Sequence, residues 1–422
     1  SERAGMPAHR ALWVLMSMLV AATGLQAPSK QDWVVGVLAV PGYGQLYQAT
    51  FETFLNEAVG PLFGPPLRFA MQELPLDFLH RKAYVRNATF DFMFLEASMY
   101  SCIERENIAT AMATVVQLQG GVEVYQSGGV IIKRTNDSSI LSLSDVKGKV
   151  MGGFSPEHLD GFQMQNNEIY RNGVVLFAES AALIVESDPV RIMRDLEGGI
   201  MDVGFLPGGF LEYMTNLGLV DATKFATLHC RQSNSSSSNR GPFILSTQTH
   251  PGWALARMNS INGPDMQVAN EVARALLTIN KTHPAAVAAR YSHWNLPASY
   301  QVVSDMQLAT GLAKQDPVSQ RSKCVRFHDL YSMITCPPGY FRLPRASVRK
   351  QCENTNFTCP MGKQCLCQPC SKALEVEVHN HPEDKRCRKV EVSLTHLLAY
   401  SLTHTNSSTQ LTHWCPIEKD HS

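Results

Sequence analysis

The chain carries no net charge: 37 Lys+Arg balance 37 Asp+Glu in 422 residues, and charged residues make up only 18%. That balance excludes the basic footprint of a nucleic-acid binder or of a protein drawn to an anionic membrane surface. Catalytic signatures are missing as well. No Gly-x-Ser-x-Gly run sets up a serine nucleophile. The pieces GGF and PGGF match neither a Walker loop nor Gly-x-Gly-x-x-Gly. None of the 14 histidines shows the His-x-x-x-His spacing that puts two ligands on one helical face. His158 beside Glu157, or together with His229 and His250, comes nearest to an acid–base pair or a metal set. The expected role of His158 is polar and pocket-lining, with no catalytic residue, metal or cofactor. Cysteine is scarce between residues 33 and 320, where only Cys102 and Cys230 occur. Beyond the N-terminus no apolar run approaches the roughly 20 residues a membrane helix needs, so the chain as given is expected to be soluble.

What is present begins with an export signal. Met6-Pro-Ala-His9-Arg10 is a short basic region, Ala11–Val20 is apolar, and Ala22-Thr23-Gly24 and Leu25-Gln26-Ala27 offer small-residue cleavage sites. Residues 6–27 are therefore expected to be a signal peptide, with an anchor as the alternative. Six Asn-x-Ser/Thr sequons, at Asn87, Asn136, Asn234, Asn280, Asn356 and Asn406, fit an extracellular or cell-surface glycoprotein. Eleven cysteines fit an oxidising compartment. A Cys102–Cys230 bridge is one expectation, and free buried thiols are the other.

Hydrophobic content of 44% is ample for a core. Strand-like runs at Trp33–Val40, Phe90–Leu95, Gly129–Lys133, Val150 onward and Met201–Leu206 alternate with helical patterns. These lie at Leu46–Val59, Ser98–Glu106, Asp188–Gly198 and Asp265–Ile279, with a helical turn at Leu143–Lys147. The alternation implies an α/β fold with largely parallel sheets covered by helices. Two stretches, VMGGFSPEHLDGF from Val150 and MDVGFLPGGFLEYM from Met201, couple an apolar run to a Gly/Pro turn and an amphipathic segment. Backbone N–H groups at such strand-to-helix junctions point outward with the positive end of the helix dipole. They suit capture of a small molecule.

With these elements placed, residues 33–312 resemble the type 2 periplasmic binding proteins, in particular their phosphonate-binding and tetrathionate-sensor-like branch. The likeness runs through VGVLAVPGYGQLYQATFETFL, FDFMFLEASMYSCIERENI, YQSGGVIIKRTNDSSILSLSDVKGKVMGGFSPEHLDGF, GPFILSTQTHPGWALARM and SHWNLPASYQVV. The resemblance implies a two-lobed domain over 28–320. Lobe 1 would span about 33–132 and 243–312, and lobe 2 about 133–242, with hinges near Gly128-Gly129 and Arg240-Gly241-Pro242. It implies non-enzymatic binding of a small molecule by closure of the lobes, in a sensory or receptor ectodomain. The expected ligand-binding residues are Tyr43, Gln45, Ser98, Tyr100, Ser127, Ser155, His158, Leu206, Pro207 and Gly208. The ligand would be an oxyanion or phosphonate. Family members clasp the anion with a Ser-Thr-Ser run, whereas here the loop is Ser155-Pro156-Glu157-His158-Leu159-Asp160-Gly161. Its carboxylates repel an anion, so an amphoteric or cationic molecule, or one held by neutral hydrogen bonds, fits as well. A secreted hydrolase or transferase on the same fold, and an adhesive protein with a vestigial pocket, are the alternatives.

Beyond a linker at Asp316–Lys323, residues 324–415 hold nine of the cysteines. CPPGYFR at Cys336–Arg342 and the run Cys365-Leu-Cys367-Gln-Pro-Cys370 resemble receptor-type cysteine-rich modules. A small disulfide-rich module is expected at 324–370, held by cross-links rather than by a core, with zinc as the rival reading of its last cysteines. The polar stretches Gln232–Arg240 and 371–422 are expected to be a surface loop and a poorly ordered tail. A membrane-receptor context would come from a further C-terminal part.

Overall fold

The computed structural model describes residues 28, 30–38, 44–74, 90–119, 121–186, 188–231, 243–259, 264–315, 322–324, 340–343 and 366–369. They form two compact units, one from residues 1–125 and 251–299, the other from 126–250 and 300–422. The signal peptide, Tyr43, the Gln232–Arg240 loop and the 371–422 tail lie outside the described residues.

The chain starts in the first unit with β1 (Asp32–Leu38), α1 (Gly44–Ala58), β2 (Arg68–Leu74), β3 (Phe92–Leu95), α2 (Ala97–Arg105), β4 (Ala109–Gln119) and β5 (Val122–Val124). In the second unit come β6 (Gly129–Arg134), β7 (Val150–Gly153), a π-helical turn (Leu159–Gln163) and α3 (Met164–Arg171). β8 (Ala182–Val185), α4 (Pro189–Glu197), β9 (Val203–Pro207), α5 (Phe210–Asn216) and β10 (Phe225–Leu228) follow. Back in the first unit are β11 (Ala254–Met258), α6 (Met266–Leu277), α7 (Pro284–Ala289) and β12 (Tyr291–Asn295). The chain then ends in the second unit with α8 (Gln301–Ala309), β13 (Ala313–Gln315), β14 (Ser322–Cys324), β15 (Tyr340–Leu343) and β16 (Leu366–Pro369).

Neither sheet is largely parallel, contrary to the expectation from the alternation. The first has order β12-β4-β11-β3-β1-β2, with β1 parallel to β2 and β3 but β11 antiparallel to β3 and β4. In the second, β7 is parallel to β8 and β9, while β6 is antiparallel to β9 and β10. The reason lies in the crossings. β6 and β11 each arrive from the other unit at the C-terminal edge of the parallel strands, where Gly129 faces Pro207 and Ala254 faces Leu95. A strand arriving there can run only in the opposite direction.

The crossings also shift. β6 belongs wholly to the second sheet, so the second unit begins at Gln126 rather than near residue 133. The return falls between His250 and Pro251 rather than near 243. Ser246 and Thr247 are held in the second unit by N–H bonds to Gly129 O at 2.9 and 3.2 Å. α8 goes with the second unit too, not the first: Leu312 just beyond it is buried in that unit's core.

The first core is aromatic. Tyr47 stacks on Tyr291 with centroids 5.5 Å apart, and Phe94 packs on Tyr47 at 4.6 Å and on Trp294 at 5.5 Å. Burial pushes the Tyr291 hydroxyl up to about 12. The second core is mainly aliphatic, built on Ile131, Ile132, Ile184, Ile192 and Leu196 around Phe162 and Phe205. Part of the expected linker is a strand, since β14 pairs antiparallel with β13. Two pieces of the expected cross-linked module likewise extend a sheet: β16 adds parallel to β8, and β15 pairs with β16. Among the described residues no helix is long and apolar enough to cross a membrane.

Candidate functional site

In the second unit the parallel strands β9, β7 and β8 end at one edge of the sheet, and open α/β sheets bind ligands outside such carboxyl ends. Each end carries a polar group or a turn: Pro207-Gly208 after β9, Phe154-Ser155 after β7, Glu186 after β8. Backbone bonds fix each end. Gly208 N donates to Gly128 O at 2.7 Å, Glu186 N to Gly153 O at 2.9 Å and Phe154 N to Gly161 O at 3.2 Å. Gly161 has to be glycine, because a Cβ there would stand 2.7 Å from the Phe154 ring.

The loop after β7 turns on itself. His158 N donates to Ser155 O at 2.8 Å, the Ser155 hydroxyl donates to the Glu157 carboxylate, and the His158 imidazole lies against Phe154. Ser155, Glu157, His158 and Asp160 are partly exposed. The π-helical turn that follows is a form that recurs at functional sites. Two buried amides hold it. Gln163 Nε2 donates to Pro156 O at 2.9 Å and Glu157 O at 3.3 Å; Gln165 Nε2 donates to Asp160 O at 2.7 Å and Leu206 O at 2.9 Å. Gln165 Oε1 and Asn166 Nδ2 are buried without a hydrogen-bond partner among the described residues. Glu186 is 2% exposed and accepts from Asp188 N at 3.1 Å. Glu212, in the first turn of α5, accepts from Ile244 N at 2.9 Å, and burial pushes its carboxyl above the usual range. Carboxylates thus dominate this strand-end edge, and the Ser155–Gln163 segment contains no Lys or Arg.

Of the expected ligand residues, the second unit brings together Ser127, Ser155, His158, Leu206, Pro207 and Gly208 on this one edge. Leu206 is there only through its backbone: its side chain is fully buried in the core, so it cannot line a pocket. In the first unit Ser98 opens α2 after β3 and is 1% exposed. Tyr100 lies in α2. Its hydroxyl donates to Glu104 Oε1 at 2.7 Å and accepts from Ala111 N at 2.8 Å. Gln45 lies in the first turn of α1. Cys102, Cys230 and Cys324 are each disulfide-bonded in the structure.

The model of the ABC-transporter phosphonate periplasmic substrate-binding family matches residues 74–305, more than half of the chain. The chain belongs to that family. Its members are solute-binding proteins rather than enzymes. No curated protein sequence matches the chain significantly. Among solved structures, XAC2383 from Xanthomonas citri bound to ATP is similar at 15% identity and TM-score 0.52, over 67% of this chain and 98% of that one. The same protein bound to chloride gives 15% and 0.51 over the same shares. PhnD1 from Prochlorococcus marinus in complex with methylphosphonate is 11% identical at TM-score 0.44, over 66% of this chain and 97% of that one. The fold is thus the mixed α/β, two-lobed periplasmic-binding-protein type.

Sequence reasoning missed Glu186, Gln163 and Gln165. For Glu186 the one signal was the four-residue apolar run Ala182–Val185 before it, too short to tell a strand from a helix segment. For the glutamines there was none, because their partners are backbone carbonyls fixed only by the fold.

Proposed function

We propose that this chain is an exported solute-binding protein for a small amphoteric molecule whose cationic or hydrogen-bond-donating group is met by the second unit. The observation that carries the reading is the set of carboxylates of Glu157, Asp160 and Glu186 at the ends of parallel strands in a family of substrate binders. Carboxylates favour an ammonium or a ligand hydroxyl and repel a bare dianion. Ser127, Ser155, His158 and the Pro207-Gly208 backbone supply neutral hydrogen bonds, and Leu206 sets the strand end. The family resemblance adds Tyr43, Gln45 and Ser98 from the first unit and closure of both lobes on the ligand. The sequons, the signal-like N-terminus and the cysteine-rich 324–370 stretch support an extracellular sensory or receptor ectodomain.

Thermal shift and calorimetry on the whole chain test this with inorganic phosphate, methylphosphonate, 2-aminoethylphosphonate and small amines. An ammonium-bearing ligand at a hundredfold excess over its Kd should raise the transition by about 5–10 °C. Phosphate alone should leave it unmoved, and Glu157→Gln with Asp160→Asn should weaken the effect. Stabilisation by phosphate and methylphosphonate alone would overturn the amphoteric class, and no response to any probe would overturn small-molecule binding of this chemistry.

A further inference from the structure

Gln163 and Gln307 lie 144 residues apart in sequence, and their side-chain amides meet: Gln307 Nε2 donates to Gln163 Oε1 at 3.0 Å. Both are buried, at 2% and 1% exposure. A buried primary amide is costly unless its N–H and C=O groups are bonded. The orientation of this pair follows from chemistry. Pro156 O and Glu157 O can only accept, so Gln163 must turn its N–H₂ toward them. Its Oε1 then faces Gln307, which must present its own N–H₂ and aim its oxygen the other way. There Cys324 Sγ stands 3.8 Å from Gln307 Oε1; being disulfide-bonded, this sulfur has no proton to give and acts as a packing contact. α8, which carries Gln307, is anchored by buried Val303 and Met306. A rigid helix therefore reaches, through two amides, the backbone of the loop that carries Ser155, Glu157 and His158.

We propose that Gln307 and Gln163 are positioning residues for ligand recognition: the relay holds the carbonyls of Pro156 and Glu157 and so fixes the Ser155–His158 loop before ligand arrives. This rests on the reading of that loop as the ligand-facing part of the second unit. A loop ordered in advance spares the ligand the cost of ordering it. Removing the relay therefore weakens binding without removing any group that touches ligand.

Hydrogen exchange of the whole chain without ligand, followed at residues 154–163, tests the relay. Gln307→Met leaves Gln163 Oε1 unbonded, and exchange there should quicken about tenfold while β6 and β9 keep their protection. Gln307→Glu is a second variant that keeps the shape. Its carboxylate can be satisfied only if Gln163 swings its N–H₂ away from the loop, so the same segment should loosen. Because the two amides act in series, Gln163→Met combined with Gln307→Met should loosen the loop no more than Gln163→Met alone. Unchanged exchange at 154–163, additive effects, or an equal rise through the whole second unit would each overturn the proposal. Binding of 2-aminoethylphosphonate to wild type is measured separately. Its absence together with no response to the small amines would defeat the functional reading, while the exchange result would still decide whether the relay holds the loop.

Discussion

Arg231 donates from Nη2 to Glu168 Oε1 at 2.7 Å across 63 residues of sequence, and His229 Nε2 stands 3.3 Å from the same oxygen. Glu168 is on α3, directly after the candidate ligand loop, with its side chain only 3% exposed. Arg231 follows β10, and its backbone N–H is held by Leu245 O at 2.8 Å. The pair ties the helix behind the site to the segment that follows β10. Removing one partner of a buried pair strands the other charge. Arg231→Met should lower stability by about 3 kcal/mol, the low end of the usual range because water reaches a third of the Arg231 side chain. Adding Glu168→Gln should recover part of that loss. Denaturant unfolding of the three variants checks it, and a single variant within about 0.5 kcal/mol of wild type would show that the pair contributes little.

His250 gives the second unit a pH dependence. It is 2% exposed, its Nδ1 has no hydrogen-bond partner among the described residues, and burial pushes it down from 6.5 to about 4. The unfolded chain therefore binds a proton in this window that the folded chain refuses. The stability this neutral histidine contributes is complete above about pH 6.5 and is lost as pH falls toward 4. The full loss is about 3 kcal/mol. Glu212 and Asp91, both raised chiefly by burial, act with the opposite sign, so the comparison must be with a variant. His250→Gln should flatten the difference between urea midpoints at pH 7 and pH 4.5. An unchanged slope would mean that another group controls the acid limb.

How far the sequence could carry these conclusions depends on whether a feature is local. α6 was expected at Asp265–Ile279 and is found at Met266–Leu277, because Asp265 is a cap whose carboxylate accepts Gln267 N at 2.8 Å. The Ser155–Gly161 loop was legible from its Gly/Pro turn. β4 was missed, since ATAMATVVQLQ is buried over most of its length and shows no alternation. β8 was missed because four apolar residues are too short a run to separate from a helix. The contacts of Tyr100 were not legible either, because the partners of its hydroxyl, Glu104 one turn on and Ala111 N on the next strand, are set by the fold. Mixed strand direction was invisible too, being a consequence of where the chain crosses between units.

The cysteines make a prediction that needs no ligand. Cys102 is buried in α2, and Cys230 and Cys324 lie in the second unit; all three are half-cystines. Alkylation of the unfolded, unreduced chain should label none of them, and alkylation after reduction should label all three. Non-reducing peptide mapping then names each partner. Loss of a bridge typically costs about 2–5 kcal/mol, so reduction should lower the unfolding midpoint measurably. Recovery of any of the three as a free thiol in oxidised protein would contradict the structure.

Gly129 is the position where one methyl group should do most damage to the candidate site. It opens β6 opposite Pro207, and an added Cβ would sit 2.2 Å from Gln165 Nε2 and 2.9 Å from Asp160 O. The backbone carbonyl at Asp160 is part of the loop and cannot retreat cheaply, so Gln165 must leave. Asp160 O and Leu206 O then lose the donor they share. Gly129→Ala should therefore destabilise by about 1–3 kcal/mol through overpacking. Shortening the obstructing side chain gives the internal check. Gly129→Ala with Gln165→Ala removes the nearer clash, though neither the 2.9 Å approach to Asp160 O nor the loss of the two hydrogen bonds, so it should regain part of the stability lost in Gly129→Ala while the loop stays weakened. The two substitutions should thus couple rather than add. Equal destabilisation by Gly129→Ala in the presence and absence of the Gln165 side chain would show that Gln165 does not occupy the space beside Gly129, and with it would go the assigned link between the Asp160 loop and the end of β9.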